Sequence, residues 1–163
     1  MKSKKKSIRP IKRKLRFLSK PPVVVGLKQQ PLLPICFEAV EECGTSGLHS
    51  AERISIHSTV SAKNKLWLDA PLFKEALIDL LKNAINRCDK RERIALSVSS
   101  SGMHFSRLTI SYIQRKTENE FHDDRFEMPY YSNDRTREIV AQHQARMNMR
   151  KGGLKVTIEL CFQ

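Results

Sequence analysis

The chain has 163 residues, of which 30 are Lys or Arg and 17 are Asp or Glu, giving a net charge of +13. A chain of this length can bury about two-thirds of its unfolded surface in one core, so we expect one folded domain. No apolar run approaches the ~20 residues that a membrane-spanning helix needs, and the basic start lacks the apolar core of a signal peptide. We therefore expect a cytoplasmic protein.

The four cysteines have neither CxxC nor CxxH spacing. The sequence therefore supports neither a zinc site nor a redox pair. In the cytoplasm we expect reduced and mostly buried thiols at Cys36, Cys43, Cys88 and Cys161.

The positive charge is concentrated at the N-terminus. Residues 1–20 contain ten Lys or Arg and no acid, whereas the remaining 143 residues carry 20 basic and 17 acidic side chains. Pro21 and Pro22 end this block, because proline cannot donate a backbone hydrogen bond. Like charges repel, so residues 1–22 are predicted to be a flexible basic arm or linker, and residues 23–163 the folded domain.

Three roles are open for this arm. It is a solvated linker, or it contacts the phosphates of nucleic acid, or it contacts an anionic membrane surface. A protein that mainly binds nucleic acid would depend on the arm alone, because there are too few aromatic residues for a base-stacking surface. The candidate contact residues are Lys4, Lys5, Lys6, Arg9, Lys12, Arg13, Lys14 and Arg16.

The predicted elements begin with a helix of about ten residues that has Pro34 in its first turn and ends before Gly44 and Gly47. Two strands follow, at 53–57 and 65–69, and then a long helix from about Leu72 to Cys88. The rest of the chain predicts two strands at 93–98 and 106–113, a helix at 135–144, and a hairpin of strands 145–150 and 154–162 turning at 151–153.

The long helix has one continuous apolar face. Residues spaced three and four apart form that face: Leu72, Phe73, Ala76, Leu77, Leu80, Leu81, Ala84 and Ile85. The order of elements predicts an α+β fold, a two-layer sandwich in which a mixed sheet carries three helices on one face.

The segment from Asp79 to Ile85 in the long helix, Asp-Leu-Leu-Lys-Asn-Ala-Ile, resembles the N box of the histidine-kinase-like ATPases, the GHKL or Bergerat family. Residues 66–71 resemble the strand ending in an acid that precedes this box, and 126–131 resemble the family's F box. Residues 137–143, the Gly-Gly turn and 156–160 resemble the closing helix and final strands. Together the matches resemble the catalytic and ATP-binding domain of sensor histidine kinases.

The resemblance implies a nucleotide site on the long helix. Asn83 would give an amide oxygen to Mg²⁺, and Asp79 would take the place of the general base or water-orienting group. Residues four apart share one helix face, so both could reach one Mg-triphosphate. Lys82, Asn86 and Arg87 would contact phosphate. The alternative is an amphipathic helix whose polar face simply meets solvent.

The sequence departs from the family in two glycine-rich motifs. After the strand ending at Ile113 the family has an Asp followed by glycines, where this chain has Gln114, which could reach adenine only through its neutral amide. Residues 132–136, Ser-Asn-Asp-Arg-Thr, replace the second motif, and there is no glycine from Gln114 to Arg150. Side chains there would hinder the close phosphate approach that glycine permits. No His followed by an acid lies upstream of Pro21 as a phosphoacceptor.

Two functions are compatible with these features. The leading hypothesis is a degenerate, non-catalytic member of the family that acts as a docking or regulatory module for a protein partner, in signalling or in a larger assembly. It would bind ATP weakly or not at all and need no cofactor. The alternative is an ATP-dependent protein-histidine kinase that uses Mg-ATP and acts in trans on a separate histidine-bearing partner. The sequence leaves open whether the protein is an enzyme.

Overall fold

The computed structural model describes residues 25–45, 51–60, 64–100, 106–116 and 132–162. The basic arm and the segment 126–131 that resembles the F box lie outside the described residues.

The described residues form three α-helices and seven strands. The helices are α1 (Leu32–Thr45), α2 (Ala70–Arg87) and α3 (Asp134–Gln142), and a short 3-10 helix covers Ala51–Arg53. The strands are β1 (Lys28–Pro31), β2 (Ile54–Ser58), β3 (Lys65–Leu68), β4 (Ile94–Ser100), β5 (Ser106–Ile113), β6 (Ala145–Gly152) and β7 (Lys155–Phe162).

Five strands make the main sheet in the order β2-β4-β5-β7-β6. The β2–β4 pair is parallel and the other three pairs are antiparallel, so the sheet is mixed. The predicted fold class, an α+β sandwich of three helices and a mixed sheet, is confirmed. Strands β1 and β3 form a separate antiparallel ribbon in which Gln29 faces Trp67.

Helix α2 is the central helix of the core. Asp69 caps its N-terminus by accepting a hydrogen bond from the backbone N–H of Leu72 at 3.2 Å, and Pro71 fits in the first turn because its missing N–H has no intrahelical partner there. The predicted apolar face is buried except for Leu72, which is half-buried: Phe73, Ala76, Leu77, Leu80, Leu81, Ala84 and Ile85. Each fully buried large side chain contributes about 1.5–3 kcal/mol.

Two local features near the N-terminus differ from the prediction. Helix α1 has 14 residues and includes Gly44, where it was expected to end. Pro34 occupies the first turn as predicted, because its missing N–H is tolerated there. Strand β1 was not predicted, because Lys-Gln-Gln-Pro has no alternation of apolar and polar residues. It forms by pairing with β3, which consequently does not join the main sheet.

The C-terminal boundaries differ slightly from the prediction. The hairpin turns at Gly153 and Leu154, and Gly153 takes the positive φ of 60° that glycine accepts without strain. Helix α3 ends at Gln142, and Gln144 follows it with a φ of 55°.

The predicted thiols are present as free cysteines, with Cys36, Cys43 and Cys88 buried and Cys161 half-buried. Burial raises the pKa of the Cys36 thiol to about 12.

Across the described ranges, no helix combines the length and apolarity that crossing a bilayer requires.

Candidate functional site

Glu75, Asp79 and Asn83 lie one turn apart along α2, and we call these three residues the polar edge of α2. Side chains four residues apart on a helix are neighbours on the same face. The polar edge therefore includes both residues that the resemblance assigns to Mg-ATP, with Glu75 one turn before them.

The start of α3 is attached to the first two members of this edge. The hydroxyl of Thr136 donates a hydrogen bond to Oδ2 of Asp79 at 2.7 Å. The preceding residue, Arg135, forms a two-point ion pair with Glu75 through Nε and Nη2, the latter 3.1 Å from Oε2. Thr136 is only 2% exposed, so its hydroxyl depends on Asp79 for hydrogen bonding.

The sequence places α3 in this position through its cap. Asn133 accepts a hydrogen bond from the backbone N–H of Thr136 at 2.7 Å, the N-cap arrangement that satisfies a free amide at a helix start. Asp134 follows in the first turn, where a negative charge favours the helix dipole, and it pairs with Arg137. Thr136 is thus held through both its backbone N–H and its hydroxyl.

The ion pair affects the titration of Glu75. The hydrogen bond from Arg135 is the largest cause and lowers the pKa of Glu75; burial opposes it, and the positive charge of Arg135 adds a smaller lowering effect. Since both side chains are about half exposed, solvent screens this pair.

The third member of the edge, Asn83, has different surroundings. Its side chain is half-buried and makes no hydrogen bond within the described part of the chain. Its amide oxygen is of the type that Mg²⁺ accepts as a ligand. Asn86, one turn nearer the end of α2, is exposed.

The charge of Lys82 acts on a thiol of α1. Burial raises the pKa of the Cys43 thiol, and the charge of Lys82 opposes that shift. Lys74, two turns earlier, contacts Glu38 and Glu42 of the same helix.

The C-terminal end of α2 meets the segment that follows β5. The backbone N–H of Arg115 donates to the carbonyl of Arg87 at 2.8 Å, and Cys88 pairs with Gln114 in an isolated β-bridge. Gln114 is 4% exposed, and its backbone N–H donates to the carbonyl of Leu154. Residues 117–131, which connect this segment to α3, lie outside the described residues.

The N-terminal end of α2 is attached through a histidine. The backbone N–H of Asp69 donates to Nε2 of His143 at 3.0 Å, so the ring proton is on Nδ1, which donates to the carbonyl of Ile139 at 2.7 Å. The ring of His143 also packs against Phe73. The side chain of Asp69 accepts from the backbone N–H of Gly26 at 2.7 Å as well as from Leu72.

Solved structures of histidine kinases share this architecture. A nucleotide-free form of the catalytic domain of histidine kinase ThkA aligns with a TM-score of 0.60 at 14% identity, over 85% of this chain and 95% of that one. The chain has the catalytic-domain fold of histidine kinases. The mycobacterial sensor histidine kinase MprB aligns with a TM-score of 0.60 at 14% identity, over 85% and 97% of the two chains.

The cytoplasmic segment of histidine kinase QseC aligns with this histidine-kinase fold at a TM-score of 0.58 and 10% identity, over 84% of this chain and 78% of that one. No protein-family model matches the sequence, and no curated protein matches it either.

Within the histidine-kinase fold, the structure places Asp79 and Asn83 on one edge of α2 and Gln114 beside the end of that helix. Sequence reasoning missed the contacts that Thr136 and Arg135 make with this edge. The Asn at 133, three residues before Thr136, is an N-cap signal that locates the start of α3. No signal in the sequence indicated that this start would contact α2.

No group of three or more His, Cys, Asp or Glu side chains suited to a metal ion occurs in the described ranges. Any divalent cation on the polar edge would therefore depend on Asn83, on Asp79 and on oxygen atoms of its own ligand.

Proposed function

We propose that this protein is a degenerate, non-catalytic member of the histidine-kinase-like ATPases, a docking or regulatory module in signalling or in a larger assembly, with ATP binding weak or lost. The observation that carries the proposal is the 2.7 Å hydrogen bond from Thr136 to Asp79. The residue in the position of the general base has become a tertiary contact of the fold.

Two features of the start of α3 support this proposal. A general base must be within reach of a water or substrate proton, whereas Oδ2 of Asp79 already accepts the buried hydroxyl of Thr136. A helix start binds phosphate through free backbone N–H groups, whereas the N–H of Thr136 is already bonded to Asn133. Under this proposal, Asp79 and the start of α3 serve the tertiary structure and not a Mg-triphosphate.

A docking module needs the folded scaffold but not a reaction with ATP. The apolar face of α2 packs in the core whether or not nucleotide binds, so the scaffold persists when the glycine-rich loops change. Under this proposal a protein partner binds the scaffold in the cytoplasm. The arm, through its residues 1–20, tethers it to an acidic protein, to nucleic acid or to an anionic membrane surface.

A specific observation favours a second candidate, an ATP-dependent kinase that acts in trans on a histidine-bearing partner. Asn83 has no side-chain hydrogen bond within the described ranges and lies one turn from Asp79, so its amide oxygen remains available for Mg²⁺. In this candidate, Lys82, Asn86 and Gln114 would assist the nucleotide.

A titration with Mg-ATP, measured by calorimetry and by thermal unfolding, tests both candidates. We expect no saturable Mg-dependent heat and no shift in midpoint at millimolar nucleotide. A ligand present at 100 times its Kd would raise the free energy of unfolding by about 2.7 kcal/mol.

Asn83→Ala is the informative variant in this titration, and Asn148→Ala on β6, an exposed asparagine on the edge strand, is its matched control. Mg-dependent binding that Asn83→Ala abolishes and Asn148→Ala preserves would overturn the proposal in favour of the kinase.

The role of the arm is tested separately by deleting residues 1–20 and measuring the affinity for a short duplex DNA at several salt concentrations. If the arm supplies most phosphate contacts, its removal flattens the salt dependence. An unchanged slope would exclude nucleic-acid binding through the arm.

A further inference from the structure

Positive charge is concentrated at one end of the main sheet. Strand β5 ends beside the start of β7, where Ile113 faces Lys155, and β6 ends beside the same residue, where Gly152 faces it. The antiparallel pairing of β4 with β5 brings the start of β4 to this end as well. Six exposed side chains lie here, and we call them the basic end of the sheet: Arg91, Arg93, Arg115, Lys116, Lys151 and Lys155.

Few acids offset this charge. Asp89 and Glu92 are the only acidic residues in the segments 88–93, 113–116 and 151–155. A carboxylate oxygen of Asp89 accepts a hydrogen bond from the backbone N–H of Arg91 at 2.9 Å. None of the six basic side chains forms an ion pair with a described residue. The basic end therefore presents positive charge that the described part of the chain leaves uncompensated.

Backbone contacts hold the segment that leads into β4. The guanidinium group of Arg53 donates to the carbonyls of Asp89 and Glu92. The backbone N–H of Asp89 donates to the carbonyl of Ile113 at 2.8 Å. Residues 89–93 are thus fastened to the end of β5, so the fold itself positions the charges that they carry.

The composition of the basic end suits the phosphate backbone of a nucleic-acid duplex. A stable protein–protein interface has an apolar core, and a protein that lies on a membrane inserts aromatic or aliphatic side chains. The exposed large apolar side chains of the described residues are Phe37 and Trp67, which lie on α1 and β3. Phosphate contacts need only Lys and Arg, and these are what the basic end offers.

The width of the basic end matches a groove of the duplex. Strands β4, β5, β7 and β6 are consecutive neighbours in the sheet. Three intervals of about 4.8 Å make the row of strand ends about 14 Å wide. The major groove of B-form DNA is about 12 Å wide, so one row of charges can contact the phosphates on both of its sides. Because phosphate contacts carry no sequence information, we expect little sequence preference.

We infer that the basic end of the sheet binds the phosphate backbone of double-stranded nucleic acid. The sequence predicted nucleic-acid contact through the arm alone, because aromatic residues for base stacking are few. Phosphate contact requires no stacking surface. The inference goes beyond the proposed function and does not depend on it, since duplex binding requires no ATP and its failure would leave the result of the Mg-ATP titration unchanged.

Titration of the full chain into a fluorescently labelled short duplex DNA, at several salt concentrations, tests this inference by fluorescence anisotropy. The variant Arg93→Gln with Arg115→Gln removes two charges from the basic end. We expect binding to weaken by about tenfold at about 0.2 M salt, and the slope of log K against log salt to fall in magnitude by about two, one for each lost phosphate contact. Duplex RNA of the same sequence, titrated in parallel, identifies which duplex binds more tightly.

Arg107→Gln with Arg146→Gln is the matched control. Both arginines are exposed and face Cys161 of β7, six residues from Lys155. They lie about 20 Å from the basic end, beyond the range of screened charge, so affinity should change by less than about twofold. Urea unfolding at the wild-type midpoint confirms that each variant is folded, and Lys116→Gln with Lys155→Gln carries the test if the first pair is not.

Three outcomes overturn the inference. Unchanged affinity and slope in Arg93→Gln with Arg115→Gln would leave the arm as the contact with the duplex. Equal weakening in this variant and in the matched control would show an effect of net charge and not of a site. Loss of binding to phosphatidylserine vesicles or to polyglutamate, with duplex binding retained, would make the occupant a membrane surface or an acidic protein.

Discussion

The part of α2 up to Asp79 and the two turns after it differ in how their polar side chains are used. In the first part and its cap, the carboxylate of Asp69 accepts from the backbone N–H of Gly26, Glu75 binds Arg135, and Asp79 binds Thr136. In the two turns after Asp79, neither Asn83 nor Asn86 makes a side-chain hydrogen bond within the described residues.

This difference separates two residues that the family resemblance treats as one unit. Asp79 and Asn83 lie one turn apart and were both predicted to contact Mg-ATP. In the structure Asp79 fastens α3 to α2, whereas Asn83 retains an amide oxygen that no described residue uses. Folding stability should therefore depend on the polar side chains up to Asp79, and any residual nucleotide binding on Asn83 in the two turns after it.

The largest effect is expected at His143. Replacing it by Ala leaves the N–H of Asp69 without its acceptor and opens a cavity against Phe73, so the free energy of unfolding should fall by about 3 kcal/mol. His57→Ala on β2 is the control, because His57 is exposed and, among the described residues, its ring hydrogen-bonds with Ser55 alone; the change should alter stability by less than about 0.5 kcal/mol. Urea unfolding measures both, and similar losses in the two variants would refute the assignment.

Asp79→Ala should destabilise the fold by about 2 kcal/mol, because it leaves the buried hydroxyl of Thr136 unbonded. Asn83→Ala should stay within about 0.5 kcal/mol of the wild type. Urea unfolding of both variants tests the comparison directly.

Asp79→Asn is the rescue variant, since its amide oxygen can still accept the hydroxyl of Thr136. In a double-mutant cycle with Thr136→Val, we expect a coupling of about 1 kcal/mol for Asp79. If Asn83→Ala destabilises as much as Asp79→Ala, the parts of α2 before and after this turn do not differ as described.

The fold could be predicted largely from local patterns. Helix α2 has a cap, an early proline and a long apolar face, and β4 and β5 alternate clearly in burial. Strand β1 could not be predicted, because Lys28 to Pro31 has no pattern of its own and becomes a strand only through pairing with β3, more than 30 residues away. The length of α1 was underestimated because Gly44 was expected to end it.

The candidate site was predicted in part. Helical spacing predicted that Asp79 and Asn83 lie on one face of α2, and they do so in the structure. The contact from Thr136 to Asp79 spans 57 residues of sequence, and that from Arg135 to Glu75 spans 60. Contacts of this separation follow from the packing of α3 on α2, which no local pattern encodes.

A smaller effect is expected at the end of α3 that lies away from the polar edge. Gln144 has a φ of 55°, which is unfavourable for a residue with a Cβ, so Gln144→Gly should raise stability by about 0.5 kcal/mol. Gly153→Ala is the matched opposite change at a φ of 60°, where nothing lies within 4 Å of the added Cβ, and it should lower stability by about 1 kcal/mol. Thermal unfolding measures both, and a loss of stability in Gln144→Gly would contradict the backbone argument.

The smallest effect is expected for the exposed ion pair between Arg135 and Glu75. Its contribution to stability can be recognised by its dependence on pH. Arg135 lowers the pKa of Glu75 below its ordinary value of 4.5, so the folded state holds this proton less tightly than the unfolded state. The stabilisation is therefore present above pH 4.5 and is lost as pH falls through the lower, folded-state value. The difference in stability between the wild type and Glu75→Gln should be positive at pH 7 and shrink as the pH falls below 4.5.

The double variant that carries Glu75→Gln and Arg135→Gln should have the same stability as the single variant Glu75→Gln, because neither protein retains the ion pair. Added salt should reduce the pH 7 difference for the same reason, since the pair is exposed and screened. A difference that persists at low pH and high salt would mean that Glu75 supports α3 through packing. The hydrogen bond between Thr136 and Asp79 would then not be the main attachment of α3 to this edge.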